Sequence, residues 1–205
     1  MPADSASRSM EAYYERRSAE YDDWYLGAGL FAGRERPGWK DELRAIRDVV
    51  SSLPPARTLD VACGTGFITR DLPGDVVATD VSPGMLSESR RRHDHALVQA
   101  DAFALPFRSD SFDRLFTGHF YGHLDPEQRA RFLAESRRIA PGLVILDAAL
   151  RDDVEPEQLQ ERILNDGSSH RVLKRYFTSS QLADELGGGQ ALFAGRWFVV
   201  VESGT

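Results

Sequence analysis

Short apolar runs alternate with longer segments of helical patterning along the middle of the chain. The runs at 58–62, 76–79, 96–99, 113–117 and 143–148 read as strands, and 65–71, 83–92 and 126–139 read as helices between them. Such alternation builds parallel βαβ units with helices on both faces of a sheet. Ligands of sheets of this kind bind at the carboxyl ends of the strands. Before this region, residues 11–25 are aromatic and charged. Tyr14, Ser18 and Tyr21 stand four and three apart, which suits one helix face, with a break near Asp22. A glycine-rich stretch, 27–38, leads into a helix over 38–52 that Pro54 and Pro55 stop. The first ten residues are small and polar, and disorder is expected there. After the alternating region, 156–164 and 179–186 read as helices. Residues 190–194 and 196–202 read as two strands joined by a tight turn at Gly195.

The chain of 205 residues fits one domain, divided by this reading into N-terminal helices or a lid (11–52), a ligand-binding core (56–150) and an insert with a terminal hairpin (151–205). A hydrophobic share of 41% is enough for a core that needs no staple. Cys63 is the single cysteine, so neither an intramolecular disulfide nor a cysteine-based zinc site is available, and no metal centre is expected. A net charge of −7 leaves little to gain from counterion release, which argues against a nucleic-acid partner. The run Arg90-Arg91-Arg92 reads as the cationic end of a helix. No apolar run approaches the roughly 20 residues of a membrane span. The N-terminus has no apolar stretch of the secretory kind. The expected setting is cytoplasmic, with no membrane partner; the oligomeric state is open.

Residues 58–67, Thr-Leu-Asp-Val-Ala-Cys-Gly-Thr-Gly-Phe, run an apolar strand straight into Gly64 and Gly66. Glycine lets the backbone turn sharply and approach a ligand, and a following helix offers free N–H groups. The dinucleotide fingerprint G-x-G-x-x-G fails in both registers, because Thr69 or Phe67 occupies the third glycine position. No Gly-Lys-Ser/Thr follows, so a phosphate-binding P-loop is excluded as well.

The segment Asp60-Val-Ala62-Cys63-Gly64-Thr-Gly66 resembles the first motif of the class I S-adenosylmethionine (SAM)-dependent methyltransferases, with Ala62 where the family usually has its first glycine. Further motifs follow in order: Asp80-Val81 with Met85 after the second strand, Asp101-Ala102-Phe103 after the third, and Ser111-Phe-Asp113 leading to Thr117 as the fourth strand. The resemblance covers residues 11–202 and is to the small, single-domain, bacterial type. It implies an α/β fold: a Rossmann-like, doubly wound, mostly parallel seven-stranded sheet with a C-terminal antiparallel hairpin. It implies S-adenosyl-L-methionine as cofactor, with Asp80 on the ribose hydroxyls, Met85 against the adenine and Asp101-Ala102 at the adenine amino group. Tyr14, Tyr21, Asp60, Cys63, Gly64, Gly66, Val81, Phe103 and Thr117 complete the expected cofactor set. Each acid also has a purely structural role open to it: Asp60 as a loop cap, Asp80 as an N-cap, Asp101 as a turn residue.

The expected activity is methyl transfer to a small-molecule acceptor by in-line displacement at the sulfonium. The alternatives are a non-catalytic SAM-binding accessory or sensor protein and a nucleotide-dependent oxidoreductase, which the failed glycine register weakens. Candidate bases lie in Thr117-Gly-His119-Phe-Tyr121-Gly-His123, beyond the fourth strand: His119 first, then Tyr121 and His123, each of which a loop-orienting role would also explain. His93 and His95 read as solvated. The stretch holding His170, Arg171, Lys174, Arg175 and Tyr176 reads either as a solvated basic face or as part of a substrate cover. Tyr13, Tyr14, Tyr21, Trp24 and Tyr25 read either as an aromatic lid or as packing against the sheet.

Overall fold

The computed structural model describes the backbone of residues 3–204 and the side chains of residues 10–204. Helices α1 (Ala3–Arg17), α2 (Asp23–Leu26) and α3 (Trp39–Ser51) come first. The alternating region follows as β1 (Ala56–Val61), β2 (Gly74–Asp80), α4 (Pro83–Ser89), β3 (Ala96–Gln99), β4 (Arg114–Gly118), α5 (Pro126–Ile139) and β5 (Gly142–Ala148). A ribbon of β6 (Glu157–Ile163) and β7 (Ser169–Arg175), helix α6 (Ser179–Glu185), and a hairpin of β8 (Gly189–Ala194) and β9 (Phe198–Ser203) complete it.

The main sheet has seven strands in the order β3-β2-β1-β4-β5-β9-β8. The first five are parallel, and β9 runs antiparallel to both β5 and β8. This is the doubly wound, mostly parallel sheet with a terminal hairpin that the sequence implies. The chain winds outward from β1 to β3, then crosses back to β4, so its direction reverses between β1 and β4. Side chains of a strand alternate between faces. Leu115, Ile145 and Val199 therefore pack with Phe132 and Ile139 of α5 and Leu182 of α6. Phe116, Val144, Leu146 and Phe198 pack with Trp39, Ile46 and Val50 of α3. Being covered on both faces, β4, β5 and β9 carry near-continuous apolar runs. Helix starts follow their caps: Asp125 and Gln128 form a capping box before α5, as Thr178 and Gln181 do before α6, and Ser82 caps α4. Among the described residues no helix is long and apolar enough to cross a membrane.

Three expectations are corrected. The segment 156–164 is strand β6, paired with β7 around Gly167 at φ +80°. Leu159 and Ile163 stand four apart and mimic a helix stripe, yet they are 52% and 60% exposed and cover no core. The Asp166-Gly167 pair between two alternating runs is the hairpin signal that decides the matter. The segment 65–71 forms only a short 3-10 turn (Thr69–Asp71): Gly66 is left-handed, and Pro73 soon follows. Residues 3–10 belong to α1 instead of being disordered, while residues 1 and 2 lie outside the described residues.

Candidate active site

A cleft opens where the strand order reverses, over the carboxyl ends of the parallel strands. At its floor β1 runs into Ala62, Gly64 and Gly66, all at positive φ (+58°, +56° and +75°). Glycine occupies this region freely, whereas an L-residue pays about 1–2 kcal/mol for it. Ala62 therefore carries strain that a glycine there would not. The loop is pinned to β2 by Cys63 N–H donating to Thr79 O (2.9 Å) and Gly64 N–H donating to Asp80 Oδ2 (2.9 Å). The other oxygen of Asp80 accepts from Ser82 N–H (2.9 Å). Burial raises the Asp80 pKa, and these backbone donors hold it down in part.

Along the cleft, Val81, Met85, Ala102 and Phe103 form an apolar wall, with Asp101 beside them accepting from Phe103 N–H (2.9 Å). Gly118, His119 and Phe120 close the far side, and Tyr14 and Tyr21 come over the top from the N-terminal segment. Of the residues singled out in the sequence, the cleft thus gathers Tyr14, Tyr21, Ala62, Gly64, Asp80, Val81, Met85, Asp101, Ala102, Phe103 and His119. Asp60 and Cys63 lie in a small crevice behind the loop, next to Thr65 and Ile68. Asp60 Oδ2 accepts from the Thr69 hydroxyl (2.7 Å), but its Oδ1 is buried with no partner, and burial pushes its pKa up to about 7. Burial likewise raises the Cys63 thiol well above its ordinary value.

Several residues stand elsewhere than expected. Gly66 lies outside the cleft lining, where a Cβ would come within 2.6 Å of Ser89 and His93. His93 is accordingly half-buried instead of freely solvated, bonded to Ser89 Oγ at 2.9 Å. Thr117 is fully buried inside the sheet and donates to Val61 O (2.7 Å). Tyr121 is buried in the core on the α5 side, where its hydroxyl donates to Glu185 (2.8 Å). Arg92 does not merely finish a helix: it pairs with Asp22 and donates to Thr65 O.

His119 is unusual in three ways. Its φ is +58°, it is buried, and its Nε2 has no hydrogen-bond partner. Burial, with a smaller opposing contribution from Asp147, pushes its pKa down to about 4. Strained, buried and unpartnered polar groups gather at functional sites. Trp24, Tyr25 and Phe198 surround the ring, with centroids 5.0, 5.7 and 5.5 Å away. Beyond it lies a second cavity of about 750 Å³, and Tyr14, Tyr21 and His119 line both spaces. His123 belongs to this second cavity: its Nδ1–H donates to Leu173 O (2.6 Å), and burial holds its pKa well below the ordinary value.

Sequence reasoning did not single out Glu15, whose carboxylate accepts from Ser82 Oγ and Gly84 N–H (3.0 Å) at the start of α4. A carboxylate is well placed at a helix N-terminus. With Asp22, which accepts from Thr65 Oγ1 (2.6 Å), it fastens the N-terminal segment across the cleft. Only the three-dimensional pairing reveals either latch.

A family model described as a methyltransferase domain matches residues 59–143. The malonyl-[acyl-carrier protein] O-methyltransferase of Enterobacter lignolyticus is 32% identical over 174 residues, which cover 79% of this chain and 68% of that protein. The chain belongs to the class I SAM-dependent methyltransferases. The demethylmenaquinone methyltransferase of Renibacterium salmoninarum is 40% identical over 104 residues, 48% of this chain and 43% of that protein; this and a related Beutenbergia cavernae enzyme are matched over less than half of their own length. The solved DhpI-SAM-HEP complex shares the fold, with a TM-score of 0.76, 24% identity and 96% of both chains covered. The cofactor of this family is S-adenosylmethionine.

The residues present fit that group. Each Asp80 oxygen has one backbone donor and keeps lone pairs for a vicinal diol. Met85, 1% exposed, and Phe103 give a flat heterocycle an apolar wall. Gly64 leaves the loop backbone bare toward the cleft: a Cβ added there would meet Tyr21 first, at 3.7 Å.

Proposed function

We propose that this chain transfers a methyl group from S-adenosylmethionine to a small-molecule acceptor held in the second cavity. The observation that carries the reading is the shared wall of Tyr14, Tyr21 and His119 between the cofactor cleft and that cavity. When bound, S-adenosylmethionine supplies a methyl group on a positively charged sulfur. The protein's part is to align the acceptor and exclude water. Asp80 and the Met85–Phe103 wall hold the cofactor; Tyr14, Tyr21 and the Glu15 latch close over it.

His119 orients the acceptor through its free Nε2. A pKa of about 4 keeps the ring neutral at pH 7 and makes it a weak proton acceptor there, since general bases work best near the operating pH. Tyr121 supports the site from the core, while His123 lines the acceptor cavity with its Nδ1–H held by Leu173 O. A small acceptor is in keeping with one relative's name, which gives demethylmenaquinone, whereas another's gives a malonyl group borne on a carrier protein.

Incubating the protein with methyl-labelled S-adenosylmethionine and fractionated metabolite extracts tests the reading. Label should pass to a small molecule as S-adenosylhomocysteine forms. Tight cofactor binding without label transfer to any fraction would favour the accessory or sensor role.

A further inference from the structure

The second cavity collects positive charge in a chain whose net charge is −7. Six of its lining residues are arginine or lysine against three aspartate or glutamate. Two of the six are neutralised: Lys174 by Asp147 (2.6 Å) and Arg151 by Asp153 (3.0 Å). The other four, Arg17, Arg34, Arg36 and Arg162, form no ion pair among the described residues. Their partners are neutral. Arg17 donates to the Tyr13 hydroxyl (2.8 Å) and lies 4.7 Å from the Tyr21 ring centroid. Arg36 donates to Trp24 O (2.7 Å), and Arg162 to the Gln160 side chain.

An exposed arginine needs no partner. Arg17, however, is only 6% exposed, and Arg36 and Arg162 are half-buried. Glu35 and Glu161 also line the cavity but are exposed and form no ion pair with these arginines. Grouping partly desolvated cations without a paired counter-charge is unfavourable, so such a cluster favours an anion. The guanidinium groups act on one another: burial first, then Arg162 and Arg17, lowers the Arg34 pKa, and burial then Arg34 lowers that of Arg36. Planar guanidinium forks match the geometry of carboxylate and phosphate groups.

Resting on the acceptor reading of this cavity, we propose that the acceptor carries an oxyanion, gripped by Arg17, Arg36 and Arg162 with Arg34 at the mouth. The cavity is therefore selective for acids over neutral molecules of the same shape. The shared recognition element is an oxyanion, which a carboxylate or a phosphate can supply.

All three tryptophans of the chain, Trp24, Trp39 and Trp197, line this cavity, so intrinsic fluorescence reports its occupancy directly. The protein saturated with S-adenosylhomocysteine is titrated with inorganic phosphate, with malonate and with malonamide as the neutral counterpart of malonate. At least one anion should give a saturable change, and which of the two does so separates the phosphate from the carboxylate class; malonamide should give none. The double variant R34Q/R162Q should bind that anion about tenfold or more weakly, with R34K/R162K closer to wild type, because charged hydrogen bonds are lost in the first and largely kept in the second. Calorimetric affinity for S-adenosylhomocysteine should be unchanged in both variants. No saturable response to either anion, an equal response to malonamide, or undiminished binding by R34Q/R162Q would overturn the proposal. Failure of wild-type protein to bind S-adenosylhomocysteine would instead sink the cofactor reading, and the same titrations on the unliganded protein would still decide the anion question.

Discussion

The two spaces that meet at Tyr14, Tyr21 and His119 are built in opposite ways. The cleft under Tyr14 and Tyr21 is built on the ends of neighbouring parallel strands, and its floor is polar through Asp80, Asp101 and backbone N–H groups. The second cavity is assembled from residues as far apart as Tyr14 and Trp197, and its cationic groups are mainly arginines. The first is imposed by the winding of the sheet, which any member of the fold shares. The second depends on what this chain adds around the sheet, the N-terminal helices and the β6–β7 ribbon. The place of the cleft is thus a property of the fold, while what each space binds depends on the residues this chain sets there.

The wall between the two offers the largest expected effect. The His119 pKa falls from 6.5 to about 4 on folding, by burial. Between those values the unfolded chain holds a proton that the folded chain does not. The stability is therefore full above pH 6.5 and is lost as pH falls toward 4, by about 3 kcal/mol in all. H119N, with a residue tolerant of positive φ, should lack this component. Denaturant unfolding of both proteins from pH 7 to 4 measures it; parallel pH profiles would show that His119 is not the buried neutral group described here.

On the cofactor side alone, D80A should weaken S-adenosylhomocysteine binding by about 2–3 kcal/mol, since charge-assisted hydrogen bonds are removed from a buried site. Anion binding in the second cavity should be much less affected. Calorimetry of both ligands checks the separation, and equal losses would mean that the two spaces are not independent.

Much of the cofactor side is legible in the sequence because its elements are local. The acid–small–glycine loop spans 60–66, and Asp80 and Asp101 each follow a strand end. The second cavity is not legible, because its unpaired cations lie at 17, 34, 36 and 162 and only folding brings them together. Reading 156–164 as a helix hides the ribbon that carries Arg162, since Leu159 and Ile163 give helical spacing to an exposed strand. The positions of Thr117 and Tyr121, within and just after the fourth strand, point to the site in the sequence. The pleat instead turns Thr117 into the sheet, and the 3-10 turn beyond β4 sends Tyr121 into the core. Glu15 and Asp22 can be found only through their partners.

The smallest effect tests the loop itself. A62G should raise stability by about 1 kcal/mol, since the φ of +58° costs an alanine what it does not cost a glycine, less the entropy that glycine adds to the unfolded chain. Thermal unfolding reads it, and a destabilised A62G would mean that the left-handed strain is offset by contacts of the methyl group.

A crystal structure with S-adenosylhomocysteine bound tests the central claim most directly. The ribose is expected on Asp80, the adenine against Met85 and Phe103, and the thioether sulfur turned toward Tyr14, Tyr21 and His119, facing the arginine-lined cavity. A ligand whose sulfur points away from that shared wall, or one bound outside the cleft, would contradict it.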